Sequence, residues 1–186
     1  AWEEDESRAE TDRMAGRRSA FAAQLMTHNI RVSIGALALG LTFGFGTIVL
    51  LFYNGVILGA VALDYVFAGE SVFLAGWLLP HGAIEIPATL LAGQAGLVLG
   101  QALLGWDRPE GLRERLRNTA PNLLTLIGGV AVLLVWAGIV EAFFSQYHQP
   151  VLPYWLKISF GAVELIALAA FLAWAGRRAR QRGEAP

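Results

Sequence analysis

Long apolar segments separated by short charged ones dominate the chain. Four apolar stretches, residues 32–52, 80–104, 121–144 and 155–175, are each between 21 and 25 residues long. A helix of about 20 residues reaches about 30 Å, which is the thickness of the hydrocarbon core of a bilayer. The pattern therefore predicts four full membrane spans.

Two shorter apolar segments lie between the first and second of these stretches. Residues 54–67 would reach only about 20 Å as a helix, and residues 71–79 are shorter still. Because backbone breaks at membrane depth need cover from protein or water, this region predicts a broken or re-entrant helical hairpin. Pro80 and Pro121 are expected at helix starts, while Pro87 marks either a kink or a helix start.

The two ends of the chain are polar. Residues 1–29 place a thin apolar stripe (Met14, Phe21, Leu25) on a charged background, which predicts an amphipathic cytoplasmic helix at the membrane surface. Residues 30–176 then form the transmembrane domain, and residues 177–186 form a basic tail. The expected fold is an all-α, polytopic membrane helix bundle.

Composition agrees with a membrane location. Hydrophobic residues make up 55% of the 186, charged residues only 16%, and the mean hydropathy is +0.51. Soluble domains carry more charge than this. The chain has no cysteine, which excludes disulfides, thiol catalysis and cysteine-based metal sites.

Basic residues predict the orientation. They cluster before the first span, in the loop 105–119 and in the tail, and four crossings would place all three regions on one side. The positive-inside bias makes that side cytoplasmic, so both termini are expected in the cytoplasm, with the protein in the cytoplasmic (inner) membrane. The arginines concerned are Arg8, Arg13, Arg17, Arg18, Arg31, Arg108, Arg113, Arg115, Arg117, Arg177, Arg178, Arg180 and Arg182.

Two ionisable residues interrupt the second apolar stretch. His81 and Glu85 are one helical turn apart and share a face. A charge at mid-membrane costs about 2.5–3.5 kcal/mol, so such residues normally face protein, water or each other. One interpretation is a pair that handles protons or cations. The other is a structural lock that bonds Asn54, Asp64 or exposed backbone. A metal site is not expected, because two ligands do not close a coordination shell.

Two more acids lie in later spans. Glu141 precedes the end of the third span and Glu164 lies deeper in the fourth, where each is expected to clamp neighbouring helices rather than to serve transport. No hydrolase or phosphate-binding motif is present, and an intramembrane protease using His81, Glu85 and Glu141 would need a second deep histidine. The sequence therefore predicts no catalytic residue, no cofactor and no nucleic-acid partner.

Small residues recur at every fourth position in three segments. Such rows let helix backbones approach closely in lipid, either within one subunit or between subunits. A homodimer or larger homo-oligomer is therefore expected. The residues are Gly40, Gly44, Gly55, Gly59, Ala88, Ala92, Gly96 and Gly100.

Three segments resemble the stage II sporulation protein M (SpoIIM) family of membrane proteins. They are Phe52-Tyr53-Asn54-Gly55-Val56-Ile57-Leu58-Gly59, then Pro80-His81-Gly82-Ala83-Ile84-Glu85-Ile86-Pro87-Ala88 followed by residues 93–100, and then Ala137-Gly138-Ile139-Val140-Glu141-Ala142-Phe143. The middle segment is the specific one. Asn54, His81, Glu85 and Glu141 match the family's polar positions.

The resemblance implies a bacterial or archaeal membrane protein without catalytic activity of its own. In spore formers the family's namesake anchors peptidoglycan-degrading partners during engulfment. The first hypothesis is thus a non-enzymatic scaffold that recruits membrane or cell-envelope proteins, with a polar core of Asn54, His81, Glu85 and Glu141. The alternative is a channel or secondary transporter that uses the His81/Glu85 pair.

Overall fold

The computed structural model describes residues 24, 26–106, 108–145 and 152–181. Within them the chain is helical and contains no strand. The helices are α1 (26–38), α2 (Phe45–Phe67), α3 (Ser71–Leu104), α4 (Leu112–Val140) and α5 (Tyr154–Gln181), with a 3-10 turn at Leu39–Thr42 and a π-helical turn at Glu141–Ser145. Four of them, α2 to α5, are long and apolar enough to cross a membrane. The predicted all-α polytopic bundle is confirmed. Most of the predicted amphipathic helix at 1–29 lies outside the described residues.

The helix is interrupted inside the first predicted span, residues 32–52, so the prediction of one continuous helix there was wrong. Phe43 and Gly44 both adopt left-handed backbone conformations, with φ of 58° and 85°. The Thr42 hydroxyl donates to the Leu39 carbonyl at 2.6 Å and accepts from the Gly46 amide at 2.8 Å, so it closes the turn. A left-handed pair cannot continue a right-handed helix. The turn therefore separates α1 from α2, and residues 54–67 belong to a continuous 23-residue helix rather than to a half-helix.

The prolines lie inside helices rather than at their starts. Pro80 and Pro87 are interior to α3, which joins the predicted half-helix 71–79 and the second span into 34 residues. Pro121 is likewise interior to α4, which begins nine residues earlier at Leu112. An interior proline removes one backbone hydrogen bond, and neighbouring helices in a bundle compensate for that loss. The fourth predicted span, 155–175, is confirmed within α5.

An arginine joins the ends of α3 and α4. Arg115 donates from Nε to the Ala102 carbonyl at 2.9 Å and from Nη1 to the Glu110 carbonyl at 3.1 Å. These bonds satisfy a carbonyl in the last turn of α3 that has no partner within its own helix. The charged segment after α3 is therefore a fixed corner of the bundle.

Helix α3 is the centre of the bundle. Half of the residues in its most apolar 18-residue stretch are buried, against 6% in the corresponding stretch of α2 and 11% in that of α5. Helices α2 and α4 run antiparallel to it, whereas α5 runs parallel, with Tyr154 beside Gly76 and Gly161 beside Leu79. The outer faces of α2, α4 and α5 carry most of the exposed large hydrophobic side chains. Such faces suit contact with lipid.

Helix α1 runs parallel to α3, and the residues that meet are 56 positions apart in the sequence. Asn29 contacts Glu85, and the Ser33 and Thr89 hydroxyls lie 3.4 Å apart. Further along, a Cβ on Gly40 would overlap the backbone of Gly96, and a Cβ on Gly100 would overlap the backbone of Gly44. Only glycine permits so close an approach of two backbones.

Among the described residues, α1, α3 and α5 run in one direction along the bundle, and α2 and α4 run in the other. The four helices long enough to cross a membrane are α2 to α5, whereas α1 covers only part of the length of α3. Its residue 26 lies beside Gly138, away from either end of α3. The side of the membrane on which each terminus lies stays a prediction.

Replacing Gly96 with alanine tests the close approach. Gly96→Ala should lower the free energy of unfolding by about 1–3 kcal/mol, because the new methyl group meets the Ala36 carbonyl. Thermal unfolding in detergent, followed by circular dichroism, measures the change. Gly128→Ala is the matched control, since nothing lies within 4 Å of a Cβ at that helical position. Equal stability of both variants would contradict the proposed contact.

Candidate functional site

Three of the four predicted core residues meet at one end of the bundle. His81 Nδ1 lies 2.8 Å from Glu141 Oε2, and the two side chains are 2% and 1% exposed. Glu85, one turn along α3, is also buried and interacts electrostatically with both. The His81 ring packs edge-on against Trp77, with centroids 5.6 Å apart. The pair on α3 is therefore tied to the end of α4.

Lysine 157 adds a positive charge that the sequence interpretation did not include in the core. It lies one turn into α5, its side chain is fully buried, and it is close enough to Glu141 to interact with it electrostatically. A buried lysine in an apolar environment needs an anionic or hydrogen-bonding partner. Lys157 thereby connects α5 to the same carboxylate that His81 contacts.

Asparagine 29 connects α1 to the group. Its side-chain nitrogen donates to Glu85 Oε2, so α1 contributes a polar contact to Glu85. We call Asn29, His81, Glu85, Glu141 and Lys157 the charged cluster. Its members come from α1, α3, the π-helical turn and α5, so four separate segments converge on it.

Glu141 lies where α4 ends and a π-helical turn begins. Helix α4 widens at Glu141–Ser145, and the Glu141 amide still donates to carbonyls of the preceding turn. A π turn inserts one extra residue per turn and rotates the following side chains. Ala137 and Gly138 are buried just before it, which brings α4 close to α3 and to Met26 of α1.

The remaining predicted polar residues lie elsewhere. Asn54 donates to the Leu50 carbonyl of its own helix at 2.8 Å and does not bond the cluster. Asp64 is exposed near the end of α2. Glu164 accepts a hydrogen bond from Trp136 Nε1 at 2.5 Å, which links α4 to α5. The contact of Glu164 thus clamps α4 to α5. By contrast, Asn54 and Asp64 make no contact with His81 or Glu85.

The small residues divide into two groups. Gly40, Gly44, Gly96 and Gly100 lie in the α1–α3 contact, and Ala88 and Ala92 pack against Val130 and Leu134 of α4. By contrast, a Cβ on Gly55 or Gly59 would meet no atom within 4 Å. The row on α2 therefore makes no close helix contact within the subunit, and Gly55 lines a cleft between α1, α2 and α3.

A cleft of about 330 Å³ lies between α1, α2 and α3, and we call it the polar cleft. Its polar lining consists of His28, Asn29, Asn54, His81, Glu85 and Thr89. Asn54 thus shares a surface with His81 and Glu85 although it does not bond them. Among the described residues, no group of three His, Asp or Glu side chains is arranged to hold a metal ion.

Comparison with known proteins agrees with the sequence resemblance. The family model described as stage II sporulation protein M matches residues 2–146. The chain belongs to the stage II sporulation protein M family. It is similar to the uncharacterized protein MJ0793 of Methanocaldococcus jannaschii, with 33% identity over 122 residues, covering 65% of this chain and 68% of the relative. No solved structure matches.

The family match extends over most of the charged cluster. Asn29, His81, Glu85 and Glu141 lie inside the matched residues, whereas Lys157 lies beyond them. The SpoIIM region therefore supplies the imidazole and both carboxylates, and α5 completes the cluster from outside that region.

Removing the buried lysine charge tests the cluster. Lys157→Met should lower the free energy of unfolding by about 3–5 kcal/mol, because Glu141 loses a buried countercharge. The double variant Lys157→Met/Glu141→Gln should recover a large part of that loss. Unfolding in detergent, analysed as a double-mutant cycle, measures the coupling. Additive effects of the two substitutions would show that the charges do not interact.

Proposed function

We propose that this SpoIIM-family protein is a non-enzymatic membrane scaffold. The observation that carries the proposal is the charged cluster, in which two carboxylates, a lysine and a histidine bury one another between four segments. Groups so enclosed bind helices together and are poorly placed to meet a substrate, since His81 and Glu141 are almost inaccessible. The cluster therefore fits a structural lock.

In this proposal, the surfaces outside the core recruit partner proteins. Arg108, Glu110, Arg113, Glu114 and Arg117 are exposed around the α3–α4 corner. This mixed-charge surface is held in place by Arg115 and suits a polar contact with another membrane or cell-envelope protein. The anchoring role that the family resemblance implies is consistent with such recruitment.

Self-association is part of the proposal. Helix α2 buries little surface within the subunit, and no atom lies within 4 Å of a Cβ at Gly55 or Gly59. Small residues at this spacing allow two helices to approach closely in lipid. We therefore assign α2 to the interface of a homodimer or larger assembly.

The charges of the described segments favour one orientation in the cytoplasmic membrane. Arginines 108, 113, 115, 117, 177, 178 and 180 all lie at the end of the bundle where α3 meets α4. At the opposite end, the α2–α3 turn carries Asp64 and Glu70. The positive-inside bias places the α3–α4 corner and the basic end of α5 in the cytoplasm.

Single-cysteine labelling tests this orientation, because the natural chain has no cysteine. A membrane-impermeant maleimide added to intact cells should label Gly69→Cys in the α2–α3 turn and should not label Glu110→Cys. After the cells are permeabilised, both variants should react. The reverse pattern in intact cells would invert the assignment, and labelling of both would contradict the predicted separation of the two turns.

Transport is the second candidate, and the polar cleft is the observation that favours it. Asn54, His81 and Glu85 line one continuous cavity, and α3 carries Pro80 and Pro87 in its interior beside it. Interrupted helices that carry polar residues at membrane depth form the binding sites of many transporters. In this alternative, Glu85 would exchange a proton or cation between the cluster and the cleft.

Substitution at Glu85 separates the two functions. For a scaffold, Glu85→Ala and His81→Ala should reduce the folded yield in detergent several-fold, while proton and ion flux into liposomes stays at the protein-free level. The reason is that each change leaves a buried partner without its bond. Size-exclusion chromatography and pH- or ion-sensitive dyes give the two readouts. Wild-type flux that disappears in a well-folded Glu85→Gln variant would favour transport.

A further inference from the structure

The polar cleft presents hydrogen-bond acceptors on one wall. The side-chain nitrogen of Asn54 donates to the Leu50 carbonyl, and that of Asn29 donates to Glu85. In both amides one N–H of the nitrogen has a protein partner, so the carbonyl oxygen and the second N–H remain for other bonds. Glu85 Oε1 and the Thr89 hydroxyl add two more acceptors to the lining.

Two histidines belong to the lining, and neither directs its charge at Glu85 alone. His81 directs Nδ1 at Glu141, so any positive charge on its ring is countered within the charged cluster. His28 is exposed. Lys157 interacts with the same Glu141 and is not part of the cleft lining. Glu85 is therefore the acidic side chain of the lining, and the amide oxygens of Asn29 and Asn54 lie in the same cleft.

Apolar side chains make up the rest of the lining, and we call them the apolar wall. They are Leu51, Ile57, Leu58 and Val61 of α2, the helix that also carries Asn54, together with Leu78 and Leu90 of α3. A volume of about 330 Å³ is in the range of small-molecule sites and exceeds what a bare ion occupies. An occupant that uses both walls must have an apolar stem and a group that donates hydrogen bonds.

A second cleft, which is lined mainly by apolar residues, serves as a comparison for the polar cleft. An apolar cleft of about 250 Å³ lies on the other side of α1, between α1, α3 and α4. Met26, Ile30, Ser33 and Ile34 line it, and each lies 56 residues before a residue of the polar cleft. Likewise, four α2 residues of the polar cleft lie 76 positions before four α4 residues of the apolar cleft. The pairs are Leu51 and Ile127, Asn54 and Val130, Gly55 and Ala131, and Leu58 and Leu134. Asn54 thus occupies the position of Val130.

We propose that the polar cleft binds a primary ammonium group carried on an apolar stem. The Glu85 carboxylate supplies the countercharge, and the carbonyl oxygens of Asn29 and Asn54 accept the remaining N–H bonds. An anion would meet Glu85 and oxygen acceptors, which repel it. The leucine and isoleucine side chains of α2 and α3 cover the stem. This binding goes beyond the scaffold role and does not require it.

Binding of n-hexylammonium to the full chain in phosphatidylcholine nanodiscs tests the proposal. Isothermal titration calorimetry should show saturable binding, with hexan-1-ol and hexanoate at least about tenfold weaker, since they lack the charge or reverse it. Equal binding of hexan-1-ol and n-hexylammonium would overturn the proposal, because only the apolar wall would then be in use.

Two variants locate the site. Glu85→Gln should weaken n-hexylammonium binding about tenfold or more, and Asn54→Leu about tenfold. Asn54→Leu keeps the test decisive if Glu85→Gln fails to fold, because Asn54 bonds only its own helix. Ile127→Ala, which trims the apolar cleft, is the control and should leave binding unchanged. Unaltered affinity in a folded Asn54→Leu variant, or a loss in Ile127→Ala, would place the ligand elsewhere.

Adding phosphatidylethanolamine to the nanodiscs distinguishes the sources of the ammonium group. That headgroup carries a primary ammonium, whereas the phosphatidylcholine headgroup has no N–H to donate. If n-hexylammonium binds more weakly as phosphatidylethanolamine increases, a lipid competes for the cleft and supplies the ligand. If its affinity is unaffected, the ligand is a soluble amine. Both results retain the ammonium site, which fails only by the criteria given for hexan-1-ol and the variants.

Discussion

The carboxylate of Glu141 is the group on which the rest of the bundle depends. An ionised carboxylate in an apolar interior carries a desolvation cost of several kcal/mol unless positive or hydrogen-bonding groups surround it. His81 approaches it from α3 and Lys157 from α5, while the carboxylate itself is carried by the residue that directly follows α4. Because partners on three helices must meet one carboxylate, their relative heights in the bundle are fixed at that end.

Backbone contact fixes the other end of the bundle. Gly40 and Gly44 lie against Gly96 and Gly100, so α1 and α3 touch through main chain rather than side chains. Lipid provides no hydrophobic force to drive helices together, and such close packing is the main attraction available. The left-handed turn at Phe43 and Gly44 comes soon after Gly40 in the chain, because the chain must reverse there for α2 to run back along α3. The polar and apolar clefts lie on the two sides of the α1–α3 pair, which is why their linings correspond.

Particular residues show how far the sequence predicts this arrangement. His81, Glu85 and Glu141 could be identified because each interrupts an apolar run. Lys157 could not be identified as part of the core, because it lies at the start of the fourth predicted span, where long lysine side chains commonly extend to the headgroups. Pro80 and Pro121 were placed at helix starts because an interior proline costs about 3 kcal/mol in an isolated helix, a rule that tertiary packing overrides here. The break at Phe43 has no sequence signal, because phenylalanine rarely adopts positive φ.

Glu85 belongs to both the charged cluster and the polar cleft, and this position links structure to binding. Toward α4 it lies near His81 and Glu141, and toward α1 it accepts a bond from Asn29. A cation in the cleft would add a countercharge to Glu85 on the side away from Lys157. The bond that Asn29 makes is the polar tie between α1 and α3 at this end, so a ligand that engages Glu85 and Asn29 also strengthens the docking of α1. A scaffold assembled in this way would be more stable when the cleft is occupied than when it is empty.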